Sequence, residues 1–369
     1  MKLTIERNSL VDAVSNVLRA VPTKTSLSIL EGILFTAKGS SVSLVGYDLD
    51  LGIKTVIPAE VIEDGEIIIG AKIFFDMIKK INSEMISINC DEKGLIEIKG
   101  GVTEYTILGI PSDDYPELPE LNEDGVLTLT QKALKSQIDQ TLFAIATTDS
   151  KPVHTGSLFD VNDGYLTLVS VDGYRLAMRK EKLISGDYSD FIVPGKTLSE
   201  ISKLLDGEDE DKTLNIRVSR RNVLFEIGSY TVISRLLEGE FLDYKAAIPK
   251  ESSTNVTIKT RDFINSVERT ALIISDKMRS PLRMNFENDM LKISCNTNIG
   301  KSYDEIPCKI DGNELEIGFN NRYVLDALKV VDCENVVLKI SGAISPMKIV
   351  PEGEEKFVFL VLPVRLKAD

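Results

Sequence analysis

The sequence predicts an α+β chain built from three repeated domains, and three observations carry that prediction. A short alternating strand feeds an amphipathic helix at three places: Leu3-Thr4-Ile5 before Leu10, Val14 and Val17, Leu127-Thr128-Leu129 before Leu134, Ile138 and Leu142, and Val256-Thr257-Ile258 before Phe263, Val267 and Ala271. These starts lie 124 and 129 residues apart, a spacing that signals internal repetition. A second set falls between them, with Glu66-Ile67-Ile68-Ile69, Phe191-Ile192-Val193 and Leu315-Glu316-Ile317 each leading into another apolar helix face. The stretches between helices alternate with period two and are broken by turn residues, which reads as antiparallel hairpins.

In chain order, the 3.6-residue period predicts helices over 7–20, 71–81, 131–146, 195–205, 260–274 and 320–331. Thr130 and Thr260 are expected as N-caps, since a hydroxyl there accepts an orphan backbone N–H. Asp76, Glu200 and Asp326 occupy matching places in the second helix of each repeat. Hairpins are expected over 35–47, 156–169 and 284–294, with Asn162-Asp163-Gly164 as a turn, and again over 86–108, 214–236 and 336–362. Leu108 to Pro116 and Leu237 to Pro249 read as closing segments, which puts the domains at 1–121, 122–250 and 251–369.

Composition bounds the function. The 369 residues include 43 basic and 57 acidic side chains, a net charge of −14. No apolar run approaches the ~18 residues of a membrane-spanning helix. Met1 to Arg7 carries an acid and no apolar core, so no secretory signal is expected, and the expected location is the cytoplasm. The four cysteines, Cys90, Cys295, Cys308 and Cys333, form no C-x-x-C pair, and His154 is the one histidine. No metal site is expected from that set, no cofactor is implied, and the thiols read as small buried apolar groups of a reducing compartment. Asp113-Asp114, and Asp48 with Asp50, are the acid pairs a metal-dependent nuclease would need; they read as turns and strand ends. No phosphate-binding glycine loop with Lys and Ser or Thr occurs.

A net charge of −14 argues against nucleic acid, since phosphate binding needs basic surface. The charge is unevenly placed, however. The six helical segments hold 13 basic and 7 acidic residues, about +6, which leaves about −20 for the rest. Equivalent helices facing one way would add their basic faces into one positive surface.

The residues Val171-Asp172-Gly173-Tyr174-Arg175-Leu176-Ala177, Gly239-Glu-Phe-Leu-Asp-Tyr244, Ile317-Gly-Phe-Asn320 with Tyr323-Val-Leu-Asp326, and the terminal Leu362-Pro363-Val364-Arg365-Leu366 appear in that order. With them the whole chain resembles the bacterial DNA polymerase sliding clamps, the beta subunits of the replicative DNA polymerase III holoenzyme. The resemblance implies three clamp domains, each with two helices on the inner face and antiparallel sheets outside. It also implies a ring-forming, head-to-tail homodimer around double-stranded DNA, with no catalytic activity: a processivity factor. Packing arithmetic agrees. Helix axes lie ~8–10 Å apart, so six abreast enclose a hole too narrow for a duplex. Twelve give an axis radius of roughly 19 Å and, less a helix radius of about 5 Å, a hole of about 14 Å radius. Two copies are needed.

By the resemblance, Lys24 and Lys151 lie in loops that touch DNA, and Lys196 holds a basic family position. The helix pattern adds Lys72, Lys79 and Lys135. Two positions with aromatic DNA contacts in the family are Pro152 and Val153 here. The family binds short peptides of the replicative polymerase, the clamp loader and other replication and repair proteins in an apolar groove. Carried over, that groove comprises Val171, Gly173, Tyr174, Arg175, Leu176, Leu242, Met278, Tyr323, Ile344, Val361, Leu362, Pro363, Val364 and Arg365, with Arg175 and Arg365 expected to hold acceptors at its rim. The family often has Pro where Leu242 stands and a basic residue where Ala246 stands. The dimer contact is expected to pair an edge strand at Tyr105 and Ile107 with Leu272 and Ile273, while Val102 and Glu104 stand where relatives often carry basic residues. The competing readings are a metal-dependent nuclease and a repeat scaffold that binds peptides without DNA.

Overall fold

The computed structural model describes residues 1–121, 125–148, 151–274 and 280–366. The helices are α1 (Arg7–Val17), α2 (Ala71–Lys80), α3 (Gln131–Thr141), α4 (Gly195–Leu204), a single turn α5 (Tyr244–Ala247), α6 (Thr260–Ala271) and α7 (Asn321–Lys329). The expected extensions of α1 and α3 are short 3-10 turns, Leu18–Ala20 and Leu142–Ala144. The cap of α1 is Glu6, whose carboxylate accepts from the N–H groups of Asn8 and Ser9 at 3.0 and 2.6 Å. Thr260 is not a cap. It is the first residue of α6, behind Lys259, and its hydroxyl donates instead to the Cys333 carbonyl at 2.9 Å.

Each helix buries the stripe its period marks. Leu10, Val14 and Val17 of α1 are buried, as are Phe74 and Ile78 of α2. Phe263 and Val267 of α6 join Val324 and Leu328 of α7 in one core with Met284, Phe286, Ile293, Ile317 and Phe319 of the sheet beneath. Each such side chain contributes about 1.5–3 kcal/mol by leaving water. α1 packs on α2, and α6 on α7.

All the sheets are antiparallel, and two of them cross the repeat boundaries. A five-stranded sheet runs Glu60–Glu63, Lys2–Glu6, Met85–Cys90, Leu95–Gly100, Thr103–Leu108. A four-stranded sheet runs Gly300–Pro307, Met290–Thr297, Leu282–Glu287, Leu315–Phe319. The eight-stranded sheet joins the second repeat to the first, because Tyr230–Ser234 pairs with Leu51–Thr55. The nine-stranded sheet joins the third to the second, because Arg175–Arg179 pairs with Phe357–Val361. The expected 156–169 hairpin turns at Asp163 (φ 51°) and Gly164 (φ 76°), the paired left-handed residues of a tight hairpin.

The chain packs as two compact units. One holds Met1–Lys132, Ile184–Tyr188 and Lys203–Leu236; the other holds Ala133–Leu183, Ser189–Ser202 and Leu237–Asp369. The middle sequence repeat is therefore divided between them, each part following the sheet to which its strands belong.

Candidate functional site

The groove residues that come together do so through one turn and one tail. At the turn, Asp172 Oδ1 accepts from the backbone N–H groups of Tyr174 and Arg175 at 2.9 and 3.0 Å. Gly173 sits at φ +88°, where a side chain would be strained. The turn throws Tyr174 outward, 60% exposed, to stack on Tyr323 of α7 with ring centroids 5.8 Å apart. Behind it, Val171, Leu176 and Val361 are buried. Across from it, the Leu362 N–H donates to the Tyr174 carbonyl at 2.9 Å, and the Val364 N–H donates to the Gly318 carbonyl at 2.8 Å. Leu362, Val364, Leu242 and Ile344 are exposed apolar side chains, and Arg365 is exposed beside them. Pro363 is half-buried. Met278 lies outside the described residues.

Arg175 departs from its expected role. Its side chain is 9% exposed, with Nε 2.9 Å from Asp172 and Nη1 2.5 Å from Asp326. The guanidinium also lies 4.8 Å from the Tyr323 ring centroid and 5.4 Å from that of Phe143. Two carboxylates and two rings occupy the cation, so Arg175 ties the turn to α7, and of the two arginines expected at the rim Arg365 is the exposed one. Asp326 and Phe143 thus contact Arg175, and Gly318 contacts the tail. The sequence marked Asp326 only through its repeat position.

Among the basic residues, Lys24, Lys72, Lys79, Lys151 and Lys196 are exposed. Lys151 directly precedes a 3-10 turn, Pro152–Thr155. Lys79 lies over the Phe75 ring at 5.5 Å. Lys135 is committed elsewhere. Its ammonium donates to the Ser202 carbonyl at 2.6 Å in the last turn of α4, the negative end of that helix, with Asp139 at 3.9 Å. It staples α3 to α4 rather than standing free for phosphate.

Asp48 Oδ1 accepts from the N–H groups of Asp50 and Leu51, so this acid closes a turn. Among the described residues no group of three His, Cys, Asp or Glu side chains is arranged to hold a metal. Burial raises the thiol pKa of all four cysteines, Cys308 to about 11, the opposite of an activated nucleophile. His154 is buried edge-on against Phe241, and burial lowers its pKa, with Lys151 adding to the effect.

Among the described residues, the five-stranded sheet ends on one side in Thr103–Leu108 and the four-stranded sheet in Gly300–Pro307, with no strand beyond either. Tyr105 and Ile107 are half-buried on the first. Glu104 there is 3.2 Å from Lys99, which also meets Glu97 at 3.2 Å. Leu272, just past α6, is 83% exposed. Ile273 is half-buried against the core of the third repeat.

Comparison with known proteins is consistent along the whole chain. Models of the DNA polymerase III beta subunit match in order: the N-terminal domain at residues 1–119, the central domain at 128–243 and the C-terminal domain at 245–365. The beta sliding clamp of Halalkalibacterium halodurans is 36% identical over 99% of this chain and 100% of its own. That of Bacillus subtilis is 34% identical over the same shares. The crystal structure of the Bacillus subtilis DNA polymerase sliding clamp superposes with a TM-score of 0.95 at 32% identity, covering 100% of both chains. A putative DNA polymerase III beta subunit from Eubacterium rectale gives 0.94 at 33% identity, over 99% of this chain and 100% of that one.

Proposed function

Because the chain belongs to the DNA polymerase III beta subunit family, the bacterial beta sliding clamps, we propose that it closes on duplex DNA as a head-to-tail homodimer and tethers the replicative polymerase there. It is a non-catalytic processivity factor. The observation that carries the ring is the pairing rule at the internal seams. Each seam joins the last strand of a later repeat to the fourth strand of the repeat before it: Tyr230–Arg235 to Leu51–Pro58, and Phe357–Val361 to Arg175–Lys182. The same rule leaves the last strand of the first repeat, Thr103–Leu108, and the fourth strand of the third repeat, Gly300–Pro307. Paired between copies, first repeat to third, those edges would extend the same rule. Edge-strand hydrogen bonds with burial of Tyr105, Ile107, Leu272 and Ile273 would close the ring.

Sliding needs topology rather than affinity. Sequence-independent contacts from Lys24, Lys72, Lys79, Lys151 and Lys196 would hold phosphates weakly and release them quickly. The acidic remainder of the chain repels DNA elsewhere. Partners, the clamp loader among them, would dock by apolar anchors in the groove between the Gly173 turn and the tail. Among the described residues, no helix is long and apolar enough to cross a membrane. The cytoplasm, on the nucleoid, is the location that fits this work.

The test is retention on nicked circular DNA after loading, by gel filtration. Loss of the protein on linearising the DNA is the expected result. Equal retention on both forms, or metal-dependent cleavage by the pure protein, overturns the reading.

A further inference from the structure

Beside the carboxy-terminal tail lies a trough of about 1110 Å³, distinct from the groove but sharing Val364 and Arg365 with it. Its floor is the outward face of the four-stranded sheet, where Arg283, Ser294 and Tyr303 stand in register on neighbouring strands. Its wall is the tail, which is seated so closely on Gly318 that an added Cβ would lie 2.6 Å from Leu366 Cδ2. A peptide leaving the proposed groove past Arg365 would enter this trough.

The charge of the trough is unusual for a chain of net −14. Arg283 is matched by Glu316 at 2.6 Å, the one carboxylate in the lining. Lys301 and Arg365 also line it, are exposed, and make no ion pair among the described residues. Ser294 and Asn296 add neutral donors. Farther along the same face, Glu287 is occupied by Lys292 at 2.5 Å. Two unmatched cations with neutral donors between them suit carboxylates.

We propose that the trough binds an acidic flank of the partner peptide, adding charge recognition to the apolar anchors; this rests on the groove reading above. The test is fluorescence anisotropy with the full-length protein and labelled peptides sharing Leu and Phe anchors, carrying Asp-Asp, Ser-Ser or Lys-Lys at either end in turn. At one end, Asp-Asp should bind about threefold to tenfold tighter than Ser-Ser at low salt, and the gain should fade in high salt, as exposed charge pairs do. Lys301→Glu should erase that gain and Lys301→Gln reduce it, with Ser-Ser binding unchanged. Equal affinity for Asp-Asp and Ser-Ser at both ends overturns the proposal, as does a Lys301→Glu loss shared by all peptides. If no anchored peptide binds, the groove reading itself fails and takes the trough with it.

Discussion

The guanidinium of Arg175 and the carboxylate of Asp326 meet at 2.5 Å, tying the strand that opens at Arg175 in the second repeat to α7 in the third. Asp172 holds the same guanidinium from the turn side. Asp326→Ala removes one of two anchors and should cost about 1–2 kcal/mol, discounted because Asp326 is part-exposed. Arg175→Ala strands both carboxylates and should cost about 2–4 kcal/mol. Urea unfolding of the two variants measures both; equal midpoints to the parent would show the pair to be idle.

Gly318→Ala should move the tail without harming the sheet core. The new Cβ would stand 2.7 Å from the Val364 carbonyl oxygen as well as against Leu366. Affinity for an anchored peptide should fall about tenfold, roughly 1.4 kcal/mol, while the mass in solution stays that of the dimer. Calorimetric titration and light scattering separate the two effects.

Leu49→Gly should stabilise the chain. Leu49 holds φ +78°, in a turn closed by Asp48 as the equivalent turn is closed by Asp172 around Gly173. A branched side chain pays about 1–2 kcal/mol in that region, partly offset by the greater freedom of glycine when unfolded. A gain of about 0.5–1 kcal/mol in urea unfolding is the expected outcome.

Acid should loosen the loop after α4. The Asp206 carboxyl falls from its ordinary 3.8 to about 2, held by the Lys212 ammonium and the N–H groups of Glu208 and Asp209. A depressed carboxyl contributes stability above its unfolded pKa, and the contribution is lost as pH falls through the folded one. Between pH about 4 and about 2, thermal midpoints should therefore drop less for Asp206→Asn than for the parent. Melting curves at stepped pH check the slope.

Ile107→Asp and Leu272→Asp should each break the contact between copies. Light scattering should read the single-chain mass, 40.8 kDa, in place of twice that, with circular dichroism unchanged. A dimer that survives both substitutions would move the contact elsewhere.

The repeats were legible because strand and helix periods are local. The apolar stripe of Phe263 and Val267 announces a helix whatever lies beyond it. The merging of sheets across repeats was not, since nothing near Tyr230 names Leu51 as the end of its partner strand. The site was half legible for the same reason. The Asp172-Gly173 turn is written in four residues, but the work of Arg175 depends on Asp326, 151 positions away. Lys135 shows the converse: its helix position suggested phosphate, and the nearby carbonyl of Ser202 claimed it. Thr260 gave up its expected capping role because its hydroxyl donates to the Cys333 carbonyl.

The two sheets that cross repeat boundaries decide where a closed assembly yields. Inside a copy, each seam has a peptide linker behind its hydrogen bonds, so a parted strand remains tethered and re-forms. The seam between copies has no such tether. On the proposed pairing of edges between copies, strain on a closed ring would be relieved at that seam, by peeling one strand edge from another, with every repeat still folded. Admission of DNA becomes a reversible unfastening rather than a partial unfolding.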